Sequence, residues 1–414
     1  MTTKSVDLPH LRSVALTGHA GAGKTTLAEG LLFRTGATNR LGRVDDATSS
    51  LDYEPEEQKR HESLSLAVAS LDDEGTRVTL IDTPGYPDFV AEVVEAVAAV
   101  DGVLLVTDAS PTVDAGLEAA VALARGSGRA ACFFINKCDR ENADPMAALD
   151  ALRAVFGNKI APLQLAIGAA EKFSGYVDLV HRKAWRWDGT KEVEIPIPSE
   201  LEAEVARRRD QLLEAAAEAD DDVLAKYLDG EEISDPELDA CLRKGVKESV
   251  LAPVLVGSAT KGIGLRGLLD AFVRYLPSPA DEGPVTAREP KSGDALAFEP
   301  DPDGPLLARV FKTAADPFVG RLTYIRVFSG TLRSQGHAWN ANRGEDERVG
   351  QLLLVQGKEQ EPVGELKAGE IGAIAKLAVT ETGDTLTGRE KPFVLDPLSF
   401  PAPSLSVAIE PQTK

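Results

Sequence analysis

Short apolar runs rich in β-branched residues alternate with helical periods along the first part of the chain. Ser13 to Thr17 reads as a buried strand and Thr25 to Phe33 as the helix after it, while Arg77 to Ile81 and Ala130 to Ile135 repeat the strand signal. Asp88 to Val100 places Val90, Val93, Val94 and Val97 on one helical side. This alternation from Ser13 to about Phe156 predicts a parallel sheet with helices on both faces and ligand loops at the strand carboxyl ends. Asn39 to Ser65 interrupts it with a polar, charged, weakly periodic stretch that fits a switch loop or a simple surface loop.

Farther along, the pattern changes twice. Two strand-like pieces lie around Gly175 to Arg186. A long charged helix follows from Ser199 to about Ala219, with Leu212, Ala216 and Ala219 on one face, and a shorter helix spans Asp235 to Glu248 after the acidic turn Asp229-Gly230-Glu231-Glu232. Their charged positions read as solvated helix faces, with a docking surface as the alternative. Pro253 to Gly257 is again an apolar strand, and the helix Leu265 to Tyr275 ends at Pro277. Ser278 to Pro305 is dense in Pro, Gly, Asp and Glu and reads as an interdomain linker. From Leu306 to about Ile409, short alternating strands such as Leu322 to Phe328 are separated by turns like Ser329-Gly330 and Thr382-Gly383-Asp384, which predicts a small antiparallel β-barrel.

Three motifs occupy the loops at which a ligand is expected. Gly18-His19-Ala20-Gly21-Ala22-Gly23-Lys24-Thr25 matches the P-loop pattern between a strand and a helix. Its glycines let backbone N–H groups approach phosphate oxygens, the helix N-terminus favours anions, Lys24 adds a point charge, Thr25 a magnesium ligand, and Thr26 continues the cradle. This motif alone does not separate ATP from GTP. In Asp82-Thr83-Pro84-Gly85, Asp82 at a strand end can hold a magnesium-bound water and Gly85 can turn its N–H to a terminal phosphate, although the tetrapeptide alone is an ordinary turn. In Asn136-Lys137-Cys138-Asp139, Asp139 can accept the two N–H donors of guanine, Asn136 can meet its Hoogsteen side, and the stem of Lys137 can cover a ring face. Adenine would leave buried polar groups unpaired there, so the set points to GTP or GDP with Mg2+. Ser258-Ala259-Thr260, after the strand at Pro253, can bring a backbone N–H to the guanine carbonyl. Because that loop belongs to the last strand of the nucleotide fold, the intervening residues are an insert. The expected organisation is a nucleotide domain over 1–157 and 253–280, an inserted α+β subdomain over 158–252, a linker over 281–304 and the barrel over 305–414.

At 414 residues and 43% hydrophobic, the chain has material for two or three domains with real cores. Asp101 breaks the most apolar region, Val93 to Val106, so no membrane span is expected, and the start, with Lys4, Asp7, His10 and Arg12, reads as neither signal peptide nor anchor. A net charge of -21 opposes general attraction to nucleic acid, so sequence-specific nucleic-acid binding is not expected. Cys132, Cys138 and Cys241 lack metal spacing and fit reduced thiols in the cytoplasm. Nothing in the composition calls for an oligomer.

With these pieces in order, the chain resembles the translational GTPases, most closely elongation factor G and its paralogues. The likeness extends to Gln164-Leu165-Ala166-Ile167-Gly168, Gly175 to Val180, Leu268-Leu269-Asp270 and Tyr275-Leu276-Pro277-Ser278-Pro279. In the barrel it takes in Asp316-Pro317-Phe318-Val319-Gly320-Arg321-Leu322-Thr323, and at the end Ser406-Val407-Ala408-Ile409-Glu410-Pro411. The resemblance implies a G domain with an inserted subdomain and a second domain that meets the small ribosomal subunit, with the nucleotide facing the large one. It also implies a longer protein, since the family continues through further domains.

Four departures from that family bear on chemistry. Tyr86 stands where the resemblance places the histidine that positions the attacking water, and Gly21 where it places a P-loop aspartate. The switch pattern Arg-Gly-Ile-Thr is Arg60-His61-Glu62-Ser63 here, so Ser63 keeps a hydroxyl for magnesium while Glu62 puts a carboxylate at an apolar gate. Such changes should slow phosphoryl transfer more than binding, leaving Tyr86 and Lys24 as the candidate catalytic side chains. The alternatives are a ribosome-associated regulator that binds GTP without turnover and, opposed by Asn136 and Asp139, an ATP-using phosphotransferase.

Overall fold

All seven residues of β1 (Leu11–Thr17) are buried in the computed structural model, which describes residues 6–316, 320–402, 406–408 and 410. A strand covered on both faces needs no polar alternation, which is why it reads as one apolar run. The chain continues through α1 (Lys24–Arg34), α2 (Pro55–Arg60), β2 (Ala67–Asp73), β3 (Thr76–Asp82), α3 (Val90–Ala99) and β4 (Gly102–Asp108). After these come α4 (Ala115–Gly126), β5 (Ala130–Asn136), α5 (Pro145–Phe156) and β6 (Ile160–Pro162). Next are β7 (Gln164–Ile167), β8 (Gly175–Asp178), β9 (Lys183–Trp187), β10 (Glu192–Ile195), α6 (Glu202–Ala217), α7 (Asp221–Asp229) and α8 (Asp235–Lys247), before β11 (Ala252–Val256) and α9 (Leu265–Tyr275) return to the first domain.

The main sheet has the order β2-β3-β1-β4-β5-β11-β6 and is parallel except for β2, which pairs antiparallel with β3. The sequence pattern missed this edge strand. Its turn, Glu74-Gly75, has φ of 45° and 85°, the geometry of a tight hairpin, and Ser70, Asp72 and Asp73, which are not buried, break up the buried run that begins with Ala67, Val68 and Ala69. Because β6 pairs with β11, the main sheet reaches beyond the boundary expected at 157. The insert begins with β7, and its sheet runs β10-β9-β8-β7. Helices α6, α7 and α8 pack with it through Leu212, Ala216, Val223, Leu238 and Val246. Arg208 of α6, 1% exposed, holds both carboxylate oxygens of Asp150 on α5, at 2.5 and 3.0 Å, and ties insert to nucleotide domain.

The stretch expected as a linker is ordered structure. It contains α10 (Pro279–Glu282) and a hairpin of β12 (Val285–Arg288) and β13 (Ala295–Phe298), and Ala287 and Phe298 bury against Leu307 and Leu395. Beyond it, β14 (Leu307–Asp316), β15 (Gly320–Ser329), β16 (Thr331–Arg333), β17 (His337–Asn340) and β18 (Glu345–Arg348) are followed by β19 (Leu352–Gln356), β20 (Glu359–Val363), β21 (Glu365–Lys367), β22 (Ile371–Ala375) and β23 (Thr385–Thr387). An eight-stranded antiparallel sheet, β18-β17-β23-β14-β15-β22-β19-β20, forms the expected second β domain. Pro317, Phe318 and Val319 lie outside the described residues, as do Ile409 and Pro411.

The two domains share a core: Phe311, Tyr324, Leu353 and Val355 join Val68, Val93 and Val97 in one cluster. Polar contacts cross it too, since Lys312 Nζ meets Glu92 Oε2 at 2.5 Å and also Ser65 Oγ, while Ser70 N donates to Gln356 Oε1 at 2.8 Å. Beside them Glu95 has a buried, unpartnered Oε2, and burial, then the nearby Glu92, push its carboxyl up to about 7, with Lys312 pulling the other way. The folded state therefore holds a proton that the unfolded chain, titrating near the ordinary carboxylate value, has released. Stability falls as pH rises from about 4.5 to about 7. Glu95→Gln is expected to stabilise the protein at pH 8 by about 1 kcal/mol, allowing for partial solvent screening, and to change nothing at about pH 3.5, below the ordinary carboxylate value. Thermal midpoints at the two pH values check this, and an equal shift at both would refute the titration account.

Candidate nucleotide site

The loop from β1 to α1 makes a ring of backbone groups around a buried ammonium. Lys24, 6% exposed, donates from Nζ to the carbonyl oxygens of Gly18 and His19, 3.0 Å each. Gly23 precedes α1 with φ 91°, and a Cβ there would come 2.6 Å from Asn136 Nδ2, so the turn requires glycine. Gly21 also has positive φ, and its carbonyl accepts from Lys137 Nζ. Gly85 packs so close that a Cβ would lie 2.5 Å from Ala20 N and 2.6 Å from Lys24 Nζ, bringing the loop after β3 onto the P-loop. These glycines leave a phosphate-sized cradle with N–H groups and an ammonium at its wall.

A set of oxygen donors adjoins it. Thr25 Oγ1 donates to Asp82 Oδ2 at 2.6 Å and meets Ser63 Oγ at 3.1 Å. Asp82 Oδ1 and Asp52 Oδ2 are both buried without hydrogen-bond partners. Oxygen donors of this kind, two of them carboxylate atoms with unspent lone pairs, fit Mg2+ held partly through water and phosphate. Burial raises the Asp82 carboxyl and lowers the Lys24 ammonium, each opposed by the other's charge; burial also pushes Asp52 up to about 6, against its hydrogen bond with Ser63. A divalent cation and a phosphate would supply the charges these groups lack.

Asp52 is a site residue that the sequence reading missed, one acid among many in an irregular stretch. Tertiary contacts place it. Glu29 on α1, 1% exposed, accepts through Oε1 from Ser49 Oγ at 2.8 Å and Ser50 N at 2.6 Å, fixing the turn that carries Asp52 into the cleft. Farther on, Glu57 of α2 accepts from Leu64 N at 3.0 Å and Ser65 N at 3.1 Å, which holds Ser63 beside Thr25. The stretch read as a loop thus contains a helix and is pinned from both sides.

On the base side, Asn136 braces two loops. Its Nδ2 donates to Ala22 O at 2.9 Å, and its Oδ1 accepts from Lys137 N at 2.8 Å and Ala259 N at 3.0 Å. The N–H of Ala259 is therefore engaged within the protein, as is that of Ser258, which donates to Ile263 O. Lys137 adopts φ 59°, and Cys138 N donates to Gly257 O, so the turn presents Asp139, 3.8 Å from Lys261 Nζ. Cys138, like Cys132 and Cys241, is a buried free thiol.

Together these loops line a cleft of about 260 Å³. Ala20, Gly21, Gly23, Lys24, Thr25 and Thr26 form one wall. Ser63, Gly85 and Tyr86 form another, and Asn136, Lys137, Ala259 and Thr260 the third. Gly18, His19, Ala22, Asp82, Asp139 and Ser258 do not line the cleft; His19 Nδ1 meets Ala20 O at 2.6 Å and its Nε2 lies 3.7 Å from Asp114. Val44, Asp45 and Arg140 also line the cleft and lie in none of the motifs, and His61 of the switch pattern lines it too. Tyr86, 40% exposed, donates its hydroxyl to Glu62 Oε1 at 2.8 Å, joining two of the family departures directly. That bond, more than the charge of Glu62, raises the phenol above its ordinary range.

Residues 9–278 match the family model of the elongation factor Tu GTP binding domain, and residues 305–389 that of elongation factor G domain 2. Elongation factor G of Thermotoga maritima is 37% identical over 417 residues, covering 100% of this chain and 60% of the relative, and that of Thermotoga petrophila is 38% identical over 412 residues, covering 99% and 59%. A crystal structure of a Thermus thermophilus protein superposes with a TM-score of 0.82 at 34% identity over 96% of this chain and 57% of that one. The chain thus spans about three fifths of the length of the relatives it matches. On fold and sequence together, the chain belongs to the translational GTPase family, in its elongation factor G-like branch.

Proposed function

We propose that this chain binds GTP and GDP with Mg2+, and that the protein acts on the ribosome in the cytoplasm as an elongation factor G-like factor whose GTP hydrolysis is slow. The observation that carries the reading is the convergence of four separate loops on one cleft, with a glycine-walled cradle, a buried lysine and unspent carboxylate oxygens side by side. Lys24 would hold the terminal phosphates, Thr25 and Ser63 would ligate the cation, with Asp82 and Asp52 holding its waters, and Asp139 would select guanine. Slow turnover follows from Tyr86, whose phenol has no ring nitrogen to accept a proton, as an imidazole would, and titrates far above neutrality. The bond from Tyr86 to Glu62 also favours a second reading, a GTP-gated ribosome-binding factor without turnover, because it directs the phenol to the switch segment.

The test pairs two measurements: affinity for a non-hydrolysable GTP analogue, and GTP hydrolysis with and without ribosomes. Tight analogue binding with ribosome-stimulated hydrolysis supports the first reading; binding without turnover supports the second. Tyr86→His is expected to raise the stimulated rate about tenfold, since it supplies an imidazole that can both accept and donate. An unchanged rate in that variant would count against Tyr86 as the cause of slow hydrolysis.

A further inference from the structure

We propose that Glu62 is a positioning residue for GTP hydrolysis, engaging the hydroxyl hydrogen of Tyr86 so that the phenol oxygen faces the nucleotide as a hydrogen-bond acceptor. This rests on the hydrolytic reading above. A phenol has one hydrogen to donate and lone pairs with which to accept. Left alone, it can donate to the water or to a phosphate oxygen, which holds the water by its oxygen and blunts the atom that must attack. Once its hydrogen is given to Glu62 Oε1, at 2.8 Å, the same oxygen can only accept. A water bound to it then points a hydrogen at Tyr86 and keeps a lone pair for phosphorus, the orientation that in-line attack requires.

The placement fits. Tyr86 follows Gly85, which packs on Lys24 at the phosphate wall, and Glu62 precedes Ser63, which meets Thr25 on the cation side. Glu62 and Tyr86 both line the cleft, so their bond lies at its wall, next to Gly85 and Ser63 in sequence. In the step itself, the water oxygen bonds to the γ-phosphorus and the bond from that phosphorus to the β–γ bridging oxygen breaks. GDP departs, and the water proton passes to an oxygen of the released phosphate. Tyr86 orients and does not keep the proton. The carboxylate that replaces an apolar gate residue thus acts through the tyrosine that replaces a histidine, and each substitution makes sense of the other.

Single-turnover GTP hydrolysis by the intact protein on ribosomes tests this with Glu62→Leu, Glu62→Gln, Tyr86→Phe and the double variant Glu62→Leu/Tyr86→Phe, alongside analogue affinity for each. Glu62→Leu and Tyr86→Phe are each expected to slow hydrolysis about tenfold, with the double variant no slower than either, because they remove one shared interaction. Glu62→Gln, whose amide oxygen still accepts, is expected to retain most of the rate, and analogue affinity should stay within about twofold throughout. Glu62→Leu turning over as fast as or faster than wild type would overturn the proposal, showing a restraining latch instead. Multiplicative losses, or Glu62→Gln as slow as Glu62→Leu, would also overturn it. Wild-type protein that binds the analogue but hydrolyses nothing on ribosomes removes the hydrolytic reading itself, a result distinct from a working wild type indifferent to Glu62.

Discussion

Asp139→Asn is expected to weaken GTP binding by about a hundredfold or more and to confer binding of xanthosine triphosphate. A carboxylate offers acceptors to both N–H donors of the guanine edge, and hydrogen bonds to a charged group contribute about 1.5–3 kcal/mol each. Asparagine keeps one acceptor and sets an amide N–H against guanine's exocyclic amino group, so one bond is lost and two donors are left facing each other in a desolvated site. Xanthine carries a carbonyl there, which the new amide can satisfy. The backbone around Asp139 should not move, because Lys137 N is held by Asn136 Oδ1 and Cys138 N by Gly257 O, neither of which involves the mutated side chain. Competition titration against a fluorescent GDP checks the prediction. Unchanged GTP affinity would place the base away from Asp139 and remove the ground for preferring guanine over adenine.

The loop of Asn136 to Asp139 could be found from sequence because it follows β5, an apolar run buried at all but Ala131, and the loops after β1 and β11 follow strands buried throughout; β3 alternates buried and half-buried residues before its buried end, Leu80 to Asp82. Long buried strands write their position into composition, and the motif chemistry then falls at their carboxyl ends. Shorter elements left no such trace. The helix α2 has six residues, too few for a period, and it is held by Glu57, which accepts from Leu64 and Ser65 farther along the chain. The hairpin of β12 and β13 has the Pro, Gly and acid content of a linker, and its order comes from burying Phe298 and Ala287 against the second domain. Asn136 was legible as a base-recognition residue by type, yet its bonds to Ala22 and Ala259 show it bracing the loops, a role that depends on segments over a hundred residues apart. Asp52 and the Tyr86–Glu62 bond belong to the same class, fixed by contacts between segments that local pattern does not encode.

Asp101 was read only as the charge that interrupts an apolar stretch, and its partner lies 225 residues away. Arg326 of β15, 1% exposed, donates from Nη2 to both Asp101 oxygens at 2.9 and 2.8 Å and from Nη1 to Ser13 Oγ at 3.0 Å, while Ser13 Oγ donates to Asp101 Oδ2 at 2.7 Å. Arg326→Met is therefore expected to cost about 3–5 kcal/mol, because it strands a carboxylate that is 4% exposed with one hydroxyl partner at the junction of β1 and β4. The bond network spans the domain interface, so the loss should fall on docking: urea unfolding is expected to separate into two transitions, with the second β domain released from the nucleotide domain. The double variant Arg326→Met/Asp101→Leu should recover most of that loss, since removing both charges removes the desolvation penalty that a single substitution exposes. A single variant that unfolds in one transition within about 1 kcal/mol of wild type would mean that water reaches these groups in solution and that the interdomain core alone, Phe311 and Val355 against Val68 and Val97, holds the domains together.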